Sequence, residues 1–430
     1  MKLFIFARIK TTGFCSGDLG MYLKLLENGI RKGTIYLHLP SGQTHQFGTG
    51  GKVAHWIIHS EKAMHKIARD WEFQLGETYI HGDWSVEDCG LQDLLFILRD
   101  NFSEYRVSKW LKPFITCLQQ WNGITRSYRN VSHHYDLDNS IFQRFLDENM
   151  NYSCGYFVRP DCSLEEAQQA KCQHIANKLL LQPGMRVLDI GCGWGGMAFY
   201  LAQHKDVEVV GITLSKQQLE FARQRQKTLG LKNVRFELED YREHHDHYDR
   251  IVSIGMFEHV GKPFYNTFFE NIKNMLNPEG AALVHSIGRS GPPGVTNPWI
   301  DKYIFPGGSI PALSEMCRSV ENNRLLLTDV ELLRLHYAHT LRVWFERFQQ
   351  HRQEICQQMG QEFCRMWEFY LAICEVAFQC SDLVVFQLQM ALQHHVIPTT
   401  RDYLYRFDEM TPEFWSIRDK ADIYTDQIKH

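Results

Sequence analysis

Along residues 165–290 the apolar positions fall in short runs separated by amphipathic segments. That alternation of strand and helix builds a parallel α/β sheet. Residues 186–190, 207–212, 234–238, 250–254 and 281–287 are predicted strands, with helices at 216–229 and 263–276 between them. Ahead of this region, 34–39 alternates like a half-buried strand, Gly42, Gly48, Gly50 and Gly51 supply turns, and 91–98 reads as a helix. Residues 20–100 are therefore predicted to form a small α+β unit. Residues 288–311 are rich in Gly and Pro and too long for a simple connection, which points to a functional loop or lid. Two apolar stripes follow at helical spacing: Leu333, Tyr337, Leu341, Trp344 and Phe348, then Phe363, Met366, Trp367, Tyr370, Cys374 and Phe378.

Between the two regions lies a basic and aromatic stretch, 105–129. Arg106, Lys109, Lys112, Arg126 and Arg129 interleave there with Trp110, Phe114, Trp121 and Tyr128. The pattern fits an amphipathic linker helix and also a membrane-surface segment. It sets the expected boundary between a domain at 1–121 and a catalytic domain, with its C-terminal helices, at 122–430.

Composition narrows the classes. The chain has 430 residues, 46 Lys and Arg against 50 Asp and Glu, and a net charge of −4, so no basic excess drives nucleic-acid binding. Membrane contact must then be local or apolar rather than driven by overall charge. Aromatics reach 13%, enough for large cores and an apolar ligand pocket. The 12 cysteines include no C-x-x-C pair, so no metal site is expected, and thiols inside apolar runs suit a reducing cytosol. No run of 18 apolar residues exists, so no spanning helix is predicted. The apolar run at residues 3–7 is too short for a signal-peptide core.

The segment Val187-Leu188-Asp189-Ile190-Gly191-Cys192-Gly193-Trp194-Gly195-Gly196 is a strand entering a glycine-rich turn and then a helix. Glycines let the backbone turn sharply and approach a ligand closely, at the strand edge where open α/β sheets bind ligands. Such a turn serves dinucleotides or S-adenosylmethionine. The D-x-G-x-G spacing and the acid before it favour S-adenosylmethionine. After the second strand, where an acid usually meets the ribose, Thr213 and Gln218 stand instead, and both can hydrogen-bond a hydroxyl.

Further motifs follow in order: His134-Tyr135-Asp136-Leu137, Met150-Asn151-Tyr152-Ser153-Cys154, Thr213-Leu214-Ser215, Phe257-Glu258-His259-Val260-Gly261, His285-Ser286-Ile287-Gly288, Tyr303-Ile304-Phe305-Pro306-Gly307-Gly308 and 365–371. With these, nearly the whole chain resembles the cyclopropane-fatty-acyl-phospholipid synthases and their mycolic acid relatives. The resemblance implies a Rossmann-like class I methyltransferase domain behind a small α+β lipid-binding domain. It implies a donor site made of Tyr135, Tyr152, Ser153, Asp189, Gly191, Cys192, Gly193, Trp194, Gly195, Thr213, Leu214, Ser215, Gln218, Asp240, Tyr241 and Arg242. Tyr135 and Tyr152 suit a sulfonium, because a ring face attracts a cation, and Tyr241 could stack on adenine.

The implied reaction adds the donor's methyl carbon across a cis double bond of a membrane phospholipid acyl chain. A cation formed in that chain needs a dry pocket, and a base must remove a proton for the ring to close. The family assigns the base to bicarbonate, at positions matching Cys154, Glu258, His285, Ile287 and Tyr337. His285 and Ile287 lie two apart on a strand and so share a face. Glu258 beside an anion requires a shared proton or a compensating His285. Cys374 matches a cysteine suspected of catalysis, although a buried structural thiol suits its stripe better. Partners implied are unsaturated phospholipid, the inner membrane surface and a second copy of the chain, for a cytoplasmic peripheral enzyme. Other readings are a methyl- or methylene-branching acyl methyltransferase, an amine N-methyltransferase and an inactive lipid-binding protein.

Overall fold

The computed structural model describes residues 19–102 and 139–405. The chain groups into two compact units that interleave in sequence. Among the described residues, one takes 19–102 together with 296–306 and 338–382, and the other takes 139–295, 307–337 and 383–405. The expected cut at residue 121 followed chain order, and with it the C-terminal helices were assigned to the catalytic domain. Residues 338–382 instead group with the N-terminal residues, for a packing reason.

That reason lies in the helix Gln361–Cys380, which packs on the helices Leu91–Phe102 and Trp71–Ile80. Its stripe residues Trp367, Tyr370 and Phe378 are buried, as are Leu94, Leu95 and Leu98 on the N-terminal helix. Burying such stripes against each other removes both from water. Phe369 adds ring contacts with Tyr79 at 5.9 Å and Trp299 at 4.8 Å. The unit's sheet has the order β2-β1-β3-β4, from β1 (Thr34–His38), β2 (Thr44–Phe47), β3 (Val53–Ile58) and β4 (Trp84–Glu87). A disulfide joins Cys356 to Cys364, a pairing not anticipated from the scattered thiols.

The second unit holds a seven-stranded sheet of order β10-β11-β9-β8-β5-β6-β7. The strands are β5 (Arg186–Ile190), β6 (Glu208–Thr213), β7 (Val234–Leu238), β8 (Tyr248–Ile254), β9 (Leu276–Arg289), β10 (Leu326–Leu332) and β11 (Leu383–Ala391). β5 to β9 are parallel neighbours, and β11 runs antiparallel to both β9 and β10. Leu188 and Ile190 of β5 pack into one core and Val187 into another, on opposite faces. A parallel sheet covered on both faces needs such continuous apolar strands.

The five expected strands are β5–β9, with β8 and β9 longer than anticipated. β10 and β11 were missed. They lie far apart in sequence, and their pairing is tertiary. The helix His336–Gln350 starts after Leu333, whose N–H donates instead to Val385 O at 2.8 Å. The stretch 288–311 is not one loop but contains the helix Pro298–Tyr303, capped by the Asn297 side chain.

Gly288 on β9 lies against Phe386 of β11, where an added Cβ would clash with the ring. We expect Gly288→Ala to destabilise the protein by about 1–3 kcal/mol, the usual scale of overpacking. Urea unfolding checks this, and an unchanged midpoint would show that the Phe386 ring can move aside.

Candidate active site

β5 leads to β6 and β7 on one side, while β8 and β9 lie on the other, so strand order reverses between β5 and β8. Open α/β sheets leave a crevice at the carboxyl edge of such a reversal. Here it is lined by residues from the ends of β5, β6, β7 and β8. Of the anticipated donor residues, Tyr152, Ser153, Asp189, Gly191, Cys192, Gly193, Trp194, Thr213, Leu214, Gln218, Asp240, Tyr241 and Arg242 line it.

Tyr135 lies outside the described residues, as does 105–129, and two others do not line the crevice. Gly195 starts the helix Gly196–His204, and a Cβ there would meet Phe199 and Phe236 at 2.8 and 2.9 Å. Ser215 caps the helix Lys216–Leu229 by accepting from Gln218 N. Both shape the site from behind rather than facing it.

The crevice is tightest at Gly191, with φ +77°. A Cβ there would lie 2.7 Å from the Met256 side chain that follows β8. Gly193, with φ +56°, faces open space, and its nearest neighbour would be Gln218 Nε2 at 3.9 Å. Thr213 donates its hydroxyl to Gln218 Oε1 at 3.0 Å, which turns the Gln218 amide N–H groups toward the turn. Asp240 holds Arg242 through both carboxylate oxygens at 2.8 and 2.6 Å. Arg242 lies over the Tyr241 ring, which also packs edge-on against Phe268. Trp194 is anchored by its N–H to Asn139 Oδ1 at 2.8 Å. Asp189 is 2% exposed, and its Oδ2 has no hydrogen-bond partner among the described residues. Burial pushes its carboxyl up to about 7, with the Lys171 ammonium pulling it back.

Beside the crevice, the Ile287 N–H on β9 donates to Glu258 Oε1 at 2.6 Å, and the Ser309 N–H donates to the Glu258 carbonyl at 2.9 Å. Glu258 Oε2 is cut off from solvent and has no hydrogen-bond partner among the described residues. Burial pushes Glu258 up to about 7, opposed by its hydrogen bonds to backbone N–H groups and to Ser286. His285 is buried, and burial followed by the charges of Lys171 and Lys178 pushes it down to about 3, so it is neutral at pH 7. The Gln387 side-chain nitrogen lies 3.2 Å from His285 Nδ1. With the Gln387 amide in this orientation its nitrogen donates, so Nδ1 accepts and Nε2 carries the proton.

Cys154 and Tyr337 are both buried. His336, next to Tyr337, accepts from Phe157 N at 2.9 Å and stacks on Tyr156 at 5.0 Å, which pins the loop of Cys154 beside the start of that helix. Cys374 belongs to the other unit. Burial pushes its thiol up to about 12, so no thiolate forms at neutral pH.

Sequence reasoning missed Met150, Asn151, Lys171, Met197, Glu239, Met256 and His259, which also line the crevice. For Lys171 a signal existed. It falls in register with Leu164, Ala167 and Ile175 on the buried face of the helix Leu164–Lys178.

A reversed parallel sheet with this glycine turn defines a methyltransferase that uses S-adenosylmethionine. Residues 123–388 match the family model described as mycolic acid cyclopropane synthetase, and the chain belongs to that family. It is 40% identical to the cyclopropane-fatty-acyl-phospholipid synthase of Escherichia coli K12 over 75% of this chain and 84% of that protein. It is 34% identical to the tuberculostearic acid methyltransferase UfaA1 of Mycobacterium tuberculosis over 81% of this chain and 87% of the other. Among solved structures, the mycolic acid cyclopropane synthase CmaA1 complexed with SAH and CTAB superposes with a TM-score of 0.58 at 34% identity, covering 61% of this chain and 98% of its own.

Two outcomes test this geometry. Gly191→Ala should abolish donor binding, while Gly193→Ala, strained but not blocked, should weaken it far less. Equal losses by calorimetry would contradict the contact with Met256. The second concerns Glu258. Its folded pKa is raised, so between the ordinary carboxylate value and about 7 the folded state holds a proton that the unfolded chain releases. Stability contributed this way falls as pH rises through that window. Glu258→Gln should therefore melt higher than the parent at pH 8, with the gap closing toward pH 5. Parallel pH profiles of melting temperature would refute the burial of that charge.

Proposed function

We propose that the chain transfers the methyl carbon of S-adenosylmethionine to the cis double bond of an unsaturated phospholipid acyl chain and closes it into a cyclopropane ring. The observation that supports this most is the pairing, at one sheet edge, of a donor crevice with a buried Glu258 held by the Ile287 N–H, two residues along β9 from the buried His285. The likeness to the E. coli synthase adds the substrate class.

The crevice fits the donor. Gly191 and Gly193 let backbone approach it, and the Gln218 amide offers N–H groups to a ribose. The Asp240–Arg242 pair and Tyr241 close the adenine end, and the unpartnered Asp189 Oδ2 suits an ammonium. Cys192, Trp194 and Leu214 line the remainder, and the rings of Tyr152 and Tyr135 suit a sulfonium. When bound, the donor supplies an electrophilic methyl group. Met150, Met197, Met256 and Val260 give the crevice an apolar lining that keeps water from a chain carrying developing positive charge.

The second set fits bicarbonate. Among the described residues Glu258 Oε2 is an acceptor without a partner, and with the Gln387 amide donating to Nδ1, His285 Nε2 is a donor. A carboxyl with a pKa near 7 can carry the proton that relieves repulsion between two anions. Ile287, Cys154 and Tyr337 would complete the cage. When bound, bicarbonate supplies the base for the proton lost on ring closure. Cys374 takes no part and serves as a structural thiol.

Among the described residues no helix is long and apolar enough to cross a membrane. The enzyme would dock at the inner membrane surface through its N-terminal 121 residues and the stretch 105–129 that straddles their end, and work as a homodimer in the cytoplasm. A second reading, an acyl methyltransferase that leaves a methyl or methylene branch, is favoured by the likeness to the tuberculostearic acid enzyme.

Labelled donor and unsaturated phospholipid vesicles, followed by mass spectrometry of the lipid, decide between the two. Ring product is expected from the parent enzyme. Glu258→Gln should bind the donor normally but turn over roughly 100-fold more slowly, the scale of lost acid–base catalysis. A branched product, or full activity in carbonate-free buffer, would overturn ring closure or the bicarbonate base respectively.

A further inference from the structure

The donor crevice also contains a buried cation. Lys171, on the inward face of the helix Leu164–Lys178, is fully buried and lines the crevice. Its ammonium donates to Ser153 Oγ at 2.9 Å. An ammonium has three N–H groups, and this is its one hydrogen bond among the described residues. No carboxylate lies within ion-pair distance of it there. Burying a charge with so few partners is costly unless a counter-charge arrives.

The order of the strands shows what arrives. β7 brings Asp240, Tyr241 and Arg242, β6 brings Thr213 and Gln218, and β5 brings Asp189. With adenine at the β7 end and ribose at β6, the amino-acid end of the donor lies at β5, beside Asp189, Ser153 and Lys171. That end carries one ammonium and one carboxylate. Asp189, with its buried unpartnered Oδ2, answers the first. Lys171, with unused N–H groups, answers the second.

We propose that Lys171 is a donor-binding residue whose ammonium pairs with the carboxylate of the donor's methionine moiety, steadied by Ser153. The inference rests on the donor reading of the crevice. It makes the site selective for the whole zwitterion, since losing either end of the ligand strands a buried charge.

Three ligands test it by calorimetry: S-adenosylmethionine, its decarboxylated form and methylthioadenosine, which lacks the whole amino-acid end. The parent enzyme should prefer S-adenosylmethionine to the decarboxylated form by roughly 10- to 100-fold, the range for a hydrogen bond between charged groups. Lys171→Met should erase that preference while binding methylthioadenosine as the parent does, and Lys171→Arg should restore most of it. A Lys171→Met protein that binds methylthioadenosine normally and keeps the preference overturns the proposal. So does one that loses all three ligands equally while Lys171→Gln, which retains an N–H for Ser153, keeps the preference. A parent enzyme that binds none of the three would instead sink the donor reading itself.

Discussion

The site depends on the close approach of two chain segments across the sheet reversal. The turn after β5 and the turn after β8 meet with no atom to spare, Gly191 backbone against the Met256 side chain. Only a residue without Cβ, in a left-handed conformation, closes that gap. The five parallel strands hold the two turns at one edge, and the cores on both faces hold the strands. The crevice and Glu258 thereby share an edge: Asp189, Thr213 and Asp240 stand at or after the ends of β5, β6 and β7, and Glu258 and Ile287 are bound together across the ends of β8 and β9.

Desolvation then sets the chemistry of these groups. The same burial that raises Asp189 and Glu258 to about 7 lowers His285 to about 3. Carboxyls come near to holding protons at neutral pH, and the imidazole loses its charge. An edge lined this way can receive charged ligands without water, because fixed groups replace the hydration shell. Burial thus leaves the Glu258 carboxyl poised to take a proton near neutral pH.

Much of this was legible in the residues. The strand–turn–helix of 187–196 announces its conformation, since glycine spacing and strand hydrophobicity are local properties. Thr213 and Gln218 were identified as hydrogen-bonding groups, but their division of labour was not. That Thr213 occupies Gln218 Oε1, leaving the amide N–H groups to face the turn, follows from side chains packed five residues apart. Lys171 was overlooked because a lysine on a helix normally reads as a solvated position. Its burial is imposed by neighbours on other elements.

The sequence by itself determined the parallel strands, the glycine turn and the chemical types of the site residues, because periodicity and backbone freedom reside in consecutive residues. Tertiary structure decided the rest. It joined β10 and β11 across some fifty intervening residues and drew the helix Gln361–Cys380 into a unit with the N-terminal residues. It moved Gly195 and Ser215 behind the site and, by burial, raised the carboxyls of Asp189 and Glu258 while lowering His285. Those outcomes turn on which surfaces lose water to which others, and that is a property of the folded chain, not of any local run of it.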